Sequence, residues 1–544
     1  MDPAVLPARK NAGDEAAPRG TEGRPKVWML TFESAFVKKV GGLAEVPPRL
    51  AGGLASRGLE PTIVMPGHGV TKGYQSSMST VHGVLGSYEV FRVMAGGVEH
   101  LLIAGGVLDD EDVYGRDVVL PKAIAFADAV RSLAEALGMP DVVHANDWHS
   151  VPSLLALNAR ATSAGLPTKF VYHIHLLSKE ALELSELARV IDPNTVIRGV
   201  LGAKSLAEYH LAARGLADRL GALASDVVVT VSKGYSKEVS RRLGIKYGIR
   251  VEAVSNAATW SWLDVSNAVL KLYPGLNPFE IESRLKAREQ LETKDLCKAV
   301  PEGHERAAPL AREYALDLAA DEWLRCFDES GPLLLMTGRL ARQKGVHVLL
   351  RALPRLISRR PDVRILLALI PVEGHEDLAL KVLESALIYR ENLKVLLGYV
   401  PREIYMVLHY AADALVAPSL QEPFGLVSLE AMAAGTPVVA SSVGGLAEAV
   451  IDIRLAGPSG TGLLVEPGDA GGLATSLADM VNVMESAFDG ARGQEISEPR
   501  LRNLLAERDA VHRIRESCIR RAHTFTWERS AEVLVSLYGK IMRR

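Results

Sequence analysis

The sequence has no excess of charge of either sign. Its 62 Lys and Arg face 65 Asp and Glu, a net charge of −3 over 544 residues. Such a balance offers no broad electrostatic footprint for nucleic acid or an acidic membrane, although one local basic pocket is compatible with it. Cysteine is scarce. Cys297, Cys326 and Cys518 lie far apart, without metal or redox spacing, and read as buried, inert thiols of a cytoplasmic protein. No run approaches the roughly 18–20 apolar residues of a membrane helix, so no membrane association is expected. Residues 1–24 lack the apolar core of a signal peptide and read as a disordered tail. No internal repeat or long low-complexity segment occurs.

With 48% hydrophobic and 23% charged residues, the composition is that of a globular protein with large cores. Short apolar runs alternate with helical patterns. KVWMLTF (Lys26–Phe32), PTIVM (Pro61–Met65), DVVH (Asp141–His144), KFVYHI (Lys169–Ile174), DVVVTV (Asp226–Val231) and RVEAV (Arg250–Val254) read as strands. The pattern restarts after Gly331 with Pro332–Met336, a helix over about Gly345–Ser358, and strands at Val363–Ile370, Leu393–Leu396, Ala414–Ala417 and Pro437–Ala440 around a helix at Val427–Ala434. This predicts two doubly wound parallel α/β domains facing a cleft. The expected divisions are a tail at 1–24, a first domain at 25–260, a linker with a helical excursion at 261–330, a second domain at 331–515 and a C-terminal amphipathic helix at 516–544. Ser178–Ala224 reads as helical.

Ligands of such sheets bind beyond the carboxyl ends of the strands, and the chemistry-bearing motifs fall there. KKVGGLAEV (Lys38–Val46) opens a helix after the first strand. Its glycines let backbone amides approach an anion, and Lys39 adds a full charge. The segment is neither a G-x-G-x-x-G fingerprint nor a Walker loop, and a plain turn with a solvated lysine explains it about as well. GRLARQKG (Gly338–Gly345) places Arg339 and Lys344 near a strand end, suited to hold and neutralise a diphosphate. HANDWH (His144–His149) and HIH (His173–His175) each follow a strand without a convincing third zinc ligand, so no metal site is expected. A polar cluster with one Trp suits a hydroxyl-rich ligand, and His175, nearer its strand end, is the better candidate to reach one. In SLQEPFGLVSLEAMAAGTPVV (Ser419–Val439), the amides of Gly425, Leu426 and Val427 open a helix and form an anion site. Glu422 precedes that helix and Glu430 lies a turn inside it. Eight positions and a turn apart, they read as two grips on one ligand rather than a coupled acid–base dyad.

Lys39-Val-Gly-Gly-Leu, Asp147-Trp-His149, Ile174-His175, Val231-Ser-Lys-Gly-Tyr235, Gly338-Arg-Leu…Gln343-Lys-Gly345, Pro418-Ser419…Glu422-Pro-Phe-Gly-Leu426 and Val443-Gly-Gly-Leu446 occur in one order. That ordered set resembles the glycogen and starch synthases, in their archaeal-type form, from about Lys26 to the C-terminus. The Glu-x7-Glu element is shared with a wider class of retaining glycosyltransferases. The resemblance implies a GT-B fold, with a C-terminal helix returning to the first domain. It implies glucose transfer from a nucleotide diphosphate sugar, ADP- or UDP-glucose, to the non-reducing end of an α-1,4-glucan, with no cofactor and no metal. Carried over singly, Arg339 and Lys344 would bind the diphosphate and stabilise the leaving group. Lys39, with Gly41 and Gly42, would approach the same phosphates from the other domain. Glu422 would hold donor glucose hydroxyls and Glu430 the ribose. His175 would lie beside the anomeric carbon and the 6-hydroxyl. Gly425, Leu426 and Val427 would meet phosphate or sugar oxygens, and Tyr399 would stack on the base. Glu45 and Asp147 fall on the acceptor side.

Some positions depart from the family pattern. His173-Ile-His-Leu176 stands where the family usually has Thr-Ile-His-Asn, Ala44-Glu45 where many bacterial members have Gly-Asp, Phe424 where they often have Cys, and Asn256-Ala-Ala replaces Asn-Gly. The competing readings are another retaining GT-B enzyme making trehalose, sucrose or a glycosylated lipid, a non-catalytic glucan-binding relic, and a glycogen phosphorylase, for which no pyridoxal-binding lysine context is found.

Overall fold

The computed structural model describes residues 23–73, 77–243, 247–298, 326–372, 374–486, 496–504, 507 and 509–543. Nearly all of the expected tail at 1–24 lies outside them. Strands run in chain order as β1 (Lys26–Leu30), β2 (Glu60–Pro66), β3 (Ser79–His82), β4 (Ser87–Ala95), β5 (Val98–Ala104), β6 (Val142–Asn146), β7 (Lys169–Ile174), β8 (Val196–Ile197), β9 (Lys204–Ser205), β10 (Val227–Thr230), β11 (Val251–Ala253), β12 (Leu333–Leu340), β13 (Arg364–Pro371), β14 (Leu393–Leu397), β15 (Ala414–Ala417), β16 (Val438–Ser441) and β17 (Gly462–Val465).

Nine strands form the first sheet in the order β11-β10-β7-β6-β1-β2-β5-β4-β3, and six form the second as β14-β13-β12-β15-β16-β17. The second sheet is parallel throughout. Its strands are continuous apolar runs because helices cover both faces: Leu333, Leu334, Leu335 and Met336 are all buried. The first sheet is parallel from β11 to β5 and then turns antiparallel through β4 and β3. This hairpin is absent from the strand expectations. Half of β4 faces solvent, so its apolar residues are spaced out rather than run together.

Ser178–Ala224 is only partly helical. Short helices at Leu184–Leu187, Leu206–Ala213 and Ala217–Leu223 are separated by the β8–β9 hairpin. Arg214 and Gly215 adopt left-handed backbone that ends one helix before the next begins.

Between the sheets, helices Trp262–Leu272 and Ile281–Gln290 pack against the second unit. Arg284 donates to the carbonyls of Tyr410 and Ala434, and Arg288 pairs with Asp413. The reading of three inert thiols needs correction. Cys297 and Cys326 are bonded to each other, and only Cys518 is a buried free thiol. Their Cα atoms lie 4.8 Å apart, a proximity that a spacing of 29 residues does not announce.

Helix Trp527–Met542 returns to the first unit and lies on helix Val46–Ala55. A Cβ at Gly53 would fall 2.6 Å from that of Ala531, so this close approach requires glycine.

Candidate active site

The carboxyl ends of the two parallel sheets converge on one cleft. On the second unit, Gly345 has a left-handed backbone (φ +73°), and a Cβ there would lie 1.9 Å from the Pro418 carbonyl. Glycine therefore lets the 338–345 turn press on the Pro418–Glu422 segment, and Leu420 N donates to Gln343 O at 2.8 Å. The result is direct contact: Lys344 Nζ lies 2.6 Å from Glu422 Oε2, which also accepts from Ser419 Oγ at 3.0 Å. Sequence reading gave these two residues separate tasks, and the structure joins them. Arg339 sits on β12, is exposed, and pairs with no acid among the described residues.

Gly425 also needs left-handed backbone (φ +90°) to start helix Leu426–Ala433. Glu430 lies inside that helix and has partners different from those of Glu422. Its Oε1 accepts from Thr259 Oγ1 at 2.6 Å, and its backbone carbonyl accepts from Trp260 Nε1 at 3.0 Å. Tyr405, whose hydroxyl donates to Thr337 Oγ1 at 2.9 Å, flanks the same carboxyl. Burial raises the Glu430 pKa, opposed by the Thr259 bond and the charge of Lys39.

Across the cleft, the Lys38–Val46 loop is organised by a residue that motif reading passed over. Glu33 Oε2 accepts from Val40 N at 2.8 Å and Gly41 N at 2.7 Å, and its Oε1 accepts from Tyr114 Oη at 2.8 Å. One of the glycine amides expected to meet an external anion, that of Gly41, thus already holds an internal carboxylate. Gly42 faces the other unit, where a Cβ would touch Leu426 Cδ1 at 3.6 Å. Lys39 Nζ is 2.7 Å from Glu45 Oε1, and Arg49 Nε donates to Glu45 Oε2 at 2.8 Å. Burial pushes the Glu45 pKa up, but Lys39 and Arg49 outweigh it and hold the carboxyl below its usual range. Glu33 carried one sequence signal, its position just past β1. Tyr114, Thr259 and Tyr405 carried none.

The histidine strand ends gather below this loop. Asp147 adopts φ 55°, ψ 172°, a conformation costing a non-glycine residue about 1–3 kcal/mol and common at functional sites. Its Oδ1 accepts from the backbone N–H of His175 at 2.7 Å and of Leu176 at 3.3 Å. Burial raises its pKa to about 8 against those bonds. His175 Nε2 lies 2.9 Å from Asn146 Oδ1, and burial lowers its pKa to about 3.

The two units touch in this state. Tyr399 Oη donates to Val40 O at 3.0 Å, Ser232 Oγ to Pro423 O at 2.7 Å, and Gly234 N to Glu448. Tyr399 remains 41% exposed. A cavity of about 250 Å³ is lined by Arg49, Thr259, Trp260 and Trp527, and another of about 480 Å³ lies between Arg355 and Glu498. Among the described residues, no helix is long and apolar enough to cross a membrane, and no three His, Cys, Asp or Glu are grouped to hold a metal ion.

Two Rossmann-like sheets facing one cleft, with cations at the strand ends, define a GT-B glycosyltransferase. The catalytic domain of starch synthase IV from Arabidopsis thaliana, solved with ADP and acarbose, shares this fold with a TM-score of 0.68 at 18% identity, covering 96% of this chain and 100% of that one. Sucrose-phosphate synthase from Thermosynechococcus elongatus shares it at 0.55, also at 18% identity and with the same coverages. The chain belongs to the glycogen and starch synthase family: residues 26–254 match the family model for the starch synthase catalytic domain and residues 325–487 that for glycosyl transferases group 1. Glycogen synthase of Granulibacter bethesdensis is 28% identical over 82% of this chain and 90% of its own length. That of Thermus thermophilus is 29% identical over 79% and 87%.

Proposed function

We propose that the protein is a retaining glycogen synthase, moving glucose from ADP- or UDP-glucose to the non-reducing 4-hydroxyl of an α-1,4-glucan. One observation carries the reading: Lys344 is seated on Glu422 with the uncommitted Arg339 on the same side of the cleft. A diphosphate leaving group needs concentrated positive charge, and a sugar needs a carboxylate to accept its hydroxyl protons. Arg339 and Lys344 take the diphosphate, with Lys39 approaching from the first unit and the Gly425–Val427 amides adding donors. Glu422 holds the glucose hydroxyls, Glu430 the ribose and Tyr399 the base, while Glu45 and Asp147 face the acceptor. His175 stands by the anomeric carbon. In the reaction the acceptor oxygen bonds to C1 on the face the diphosphate leaves, the C1–O bond to phosphate breaks, and the acceptor proton passes to a departing phosphate oxygen. In this reading the cations, rather than a metal, compensate the departing charge.

The test is incubation with each nucleotide-glucose and a glycogen primer. Extension of glucan chains supports the reading. Transfer only to a small acceptor would sink it in favour of another GT-B enzyme. That alternative draws some support from the D-inositol 3-phosphate glycosyltransferase of Arthrobacter, 35% identical over 38% of this chain and 42% of its own length.

A further inference from the structure

The C-terminal helix reaches the histidine cluster. Tyr538 is fully buried on that helix, and its hydroxyl lies 2.6 Å from His144 Nδ1. His144 Nε2 lies 3.1 Å from His173 Nδ1. The His173 ring stacks on that of His175, with centroids 4.0 Å apart and planes 29° apart. His144 and His173 are wholly inaccessible, and burial keeps both imidazoles neutral.

Neutral rings have one donor and one acceptor each, so the bonds fix the protons. Asn146 Nδ2 donates to Leu30 O at 3.0 Å, which turns Asn146 Oδ1 toward His175 as an acceptor. His175 therefore carries its proton on Nε2, and its buried Nδ1, which has no partner, is an acceptor. For the other chain, two proton patterns compete. If Tyr538 donates to His144, then His144 Nε2–H donates to His173 Nδ1, and a single group, His173 Nε2–H, is left without a partner. If the direction is reversed, both the tyrosine proton and the His173 Nε2 lone pair are orphaned. Unpaired buried polar groups are costly, so the first pattern holds.

We propose that Tyr538 and His144 are positioning residues for the sugar site, holding His173 in one tautomer as the plate on which His175 stacks. Asn146 independently fixes the proton of His175 on Nε2 and leaves its buried Nδ1 as the acceptor. Docking of the C-terminal helix thereby sets a ring 363 positions before Tyr538 in the chain. The inference rests on the reading that His175 lies beside the transferred sugar. It adds a requirement that the family motifs do not contain: a hydroxyl at position 538.

The experiment is nitrogen NMR of the full-length protein with labelled histidine, which distinguishes protonated from unprotonated ring nitrogens, joined to steady-state kinetics. His173 and His175 are expected as Nε2–H tautomers in the ligand-free protein. Tyr538→Phe keeps the ring packing but removes the donor. It is expected to mix the His173 tautomers and lower kcat about tenfold, with the donor KM within twofold. His144→Gln, which offers a carbonyl to Tyr538 and an N–H to His173, is expected to keep the His173 tautomer and most of the turnover, whereas His144→Leu loses both; the His175 tautomer, set by Asn146, is expected to stay Nε2–H in every variant. An Nδ1–H tautomer at either His173 or His175 in the wild type, or an unchanged His173 tautomer in Tyr538→Phe and His144→Leu, overturns the proposal. A protein that moves no glucose from either nucleotide would overturn the function instead, because the tautomers are read without turnover.

Discussion

Replacing Lys344 by alanine separates the two things that lysine does. Its Nζ sits 2.6 Å from Glu422 Oε2, and the side chains are only 20% and 7% exposed. Without it the carboxylate keeps Ser419 Oγ at 3.0 Å but loses its cation. Breaking a buried pair from one side costs about 3–5 kcal/mol, and the surviving bond and the partial exposure of Lys344 place this case near the lower end, about 3 kcal/mol. With a urea slope of about 1–3 kcal/mol/M, that moves the midpoint of the second unit's unfolding down by about 1 M or more. The catalytic loss is separate. Removing one preformed stabiliser of developing charge costs about 10²–10³ in kcat, or about 2.7–4 kcal/mol. The assay is initial rate on glycogen at saturating ADP- or UDP-glucose, alongside urea unfolding of the same preparations. The double variant Lys344→Ala, Glu422→Gln removes the stranded charge as well, so its midpoint is expected to return most of the way while turnover stays low. A kcat for Lys344→Ala within threefold of wild type would refute the placing of Lys344 on the leaving group. A midpoint that does not move would refute the ion pair as the reason Glu422 is held.

Three further outcomes follow from other contacts. Asp413, 2% exposed, pairs with Arg288, accepts from Leu333 N at 2.8 Å and has Arg515 3.8 Å away; Asp413→Asn is expected to destabilise the second unit by about 3–5 kcal/mol in urea unfolding, and a loss below about 1 kcal/mol would show that other groups balance those arginines. Folded Asp147 binds a proton up to about pH 8, whereas in the unfolded chain it releases one near pH 4. Stability therefore falls as pH rises from about 4 to about 8, and Asp147→Asn is expected to flatten that part of the melting-temperature profile; an unchanged slope contradicts the protonated carboxyl. Tyr399→Ala is expected to raise the donor KM about tenfold through lost base stacking, whereas Tyr399→Phe, which keeps the ring and loses the 3.0 Å bond to Val40 O, is expected to change it less than threefold. Equal effects from the two variants would assign Tyr399 to domain closure instead.

How much of this was legible depends on how far apart the partners lie in the chain. Ala414–Ala417 was readable to the residue because a buried parallel strand is a bare apolar run between breaks. The antiparallel strand Ser87–Ala95 was not, because half of it faces solvent and this dilutes the run that marks a strand. Lys344 and Glu422 were each legible from strand-end placement, but their contact spans 78 residues and depends on how closely Gly345 approaches Pro418. Glu33 shows a second limit. A lone acid after a strand has the same local pattern whether it is solvated or, as here, 2% exposed and holding a glycine loop. The bonds that tie one part of the fold to another reach furthest: Thr259 to Glu430 over 171 positions, Tyr399 to Val40 over 359 and Tyr538 to His144 over 394. No local periodicity records such pairs. Each can be selected only through the assembled cleft, by what it does to the placement of a carboxylate, a loop or an imidazole. Substitutions at Thr259, Tyr399 or Tyr538 should therefore act on the cleft before they act on the stability of either sheet, whereas substitutions in the buried strands should do the reverse.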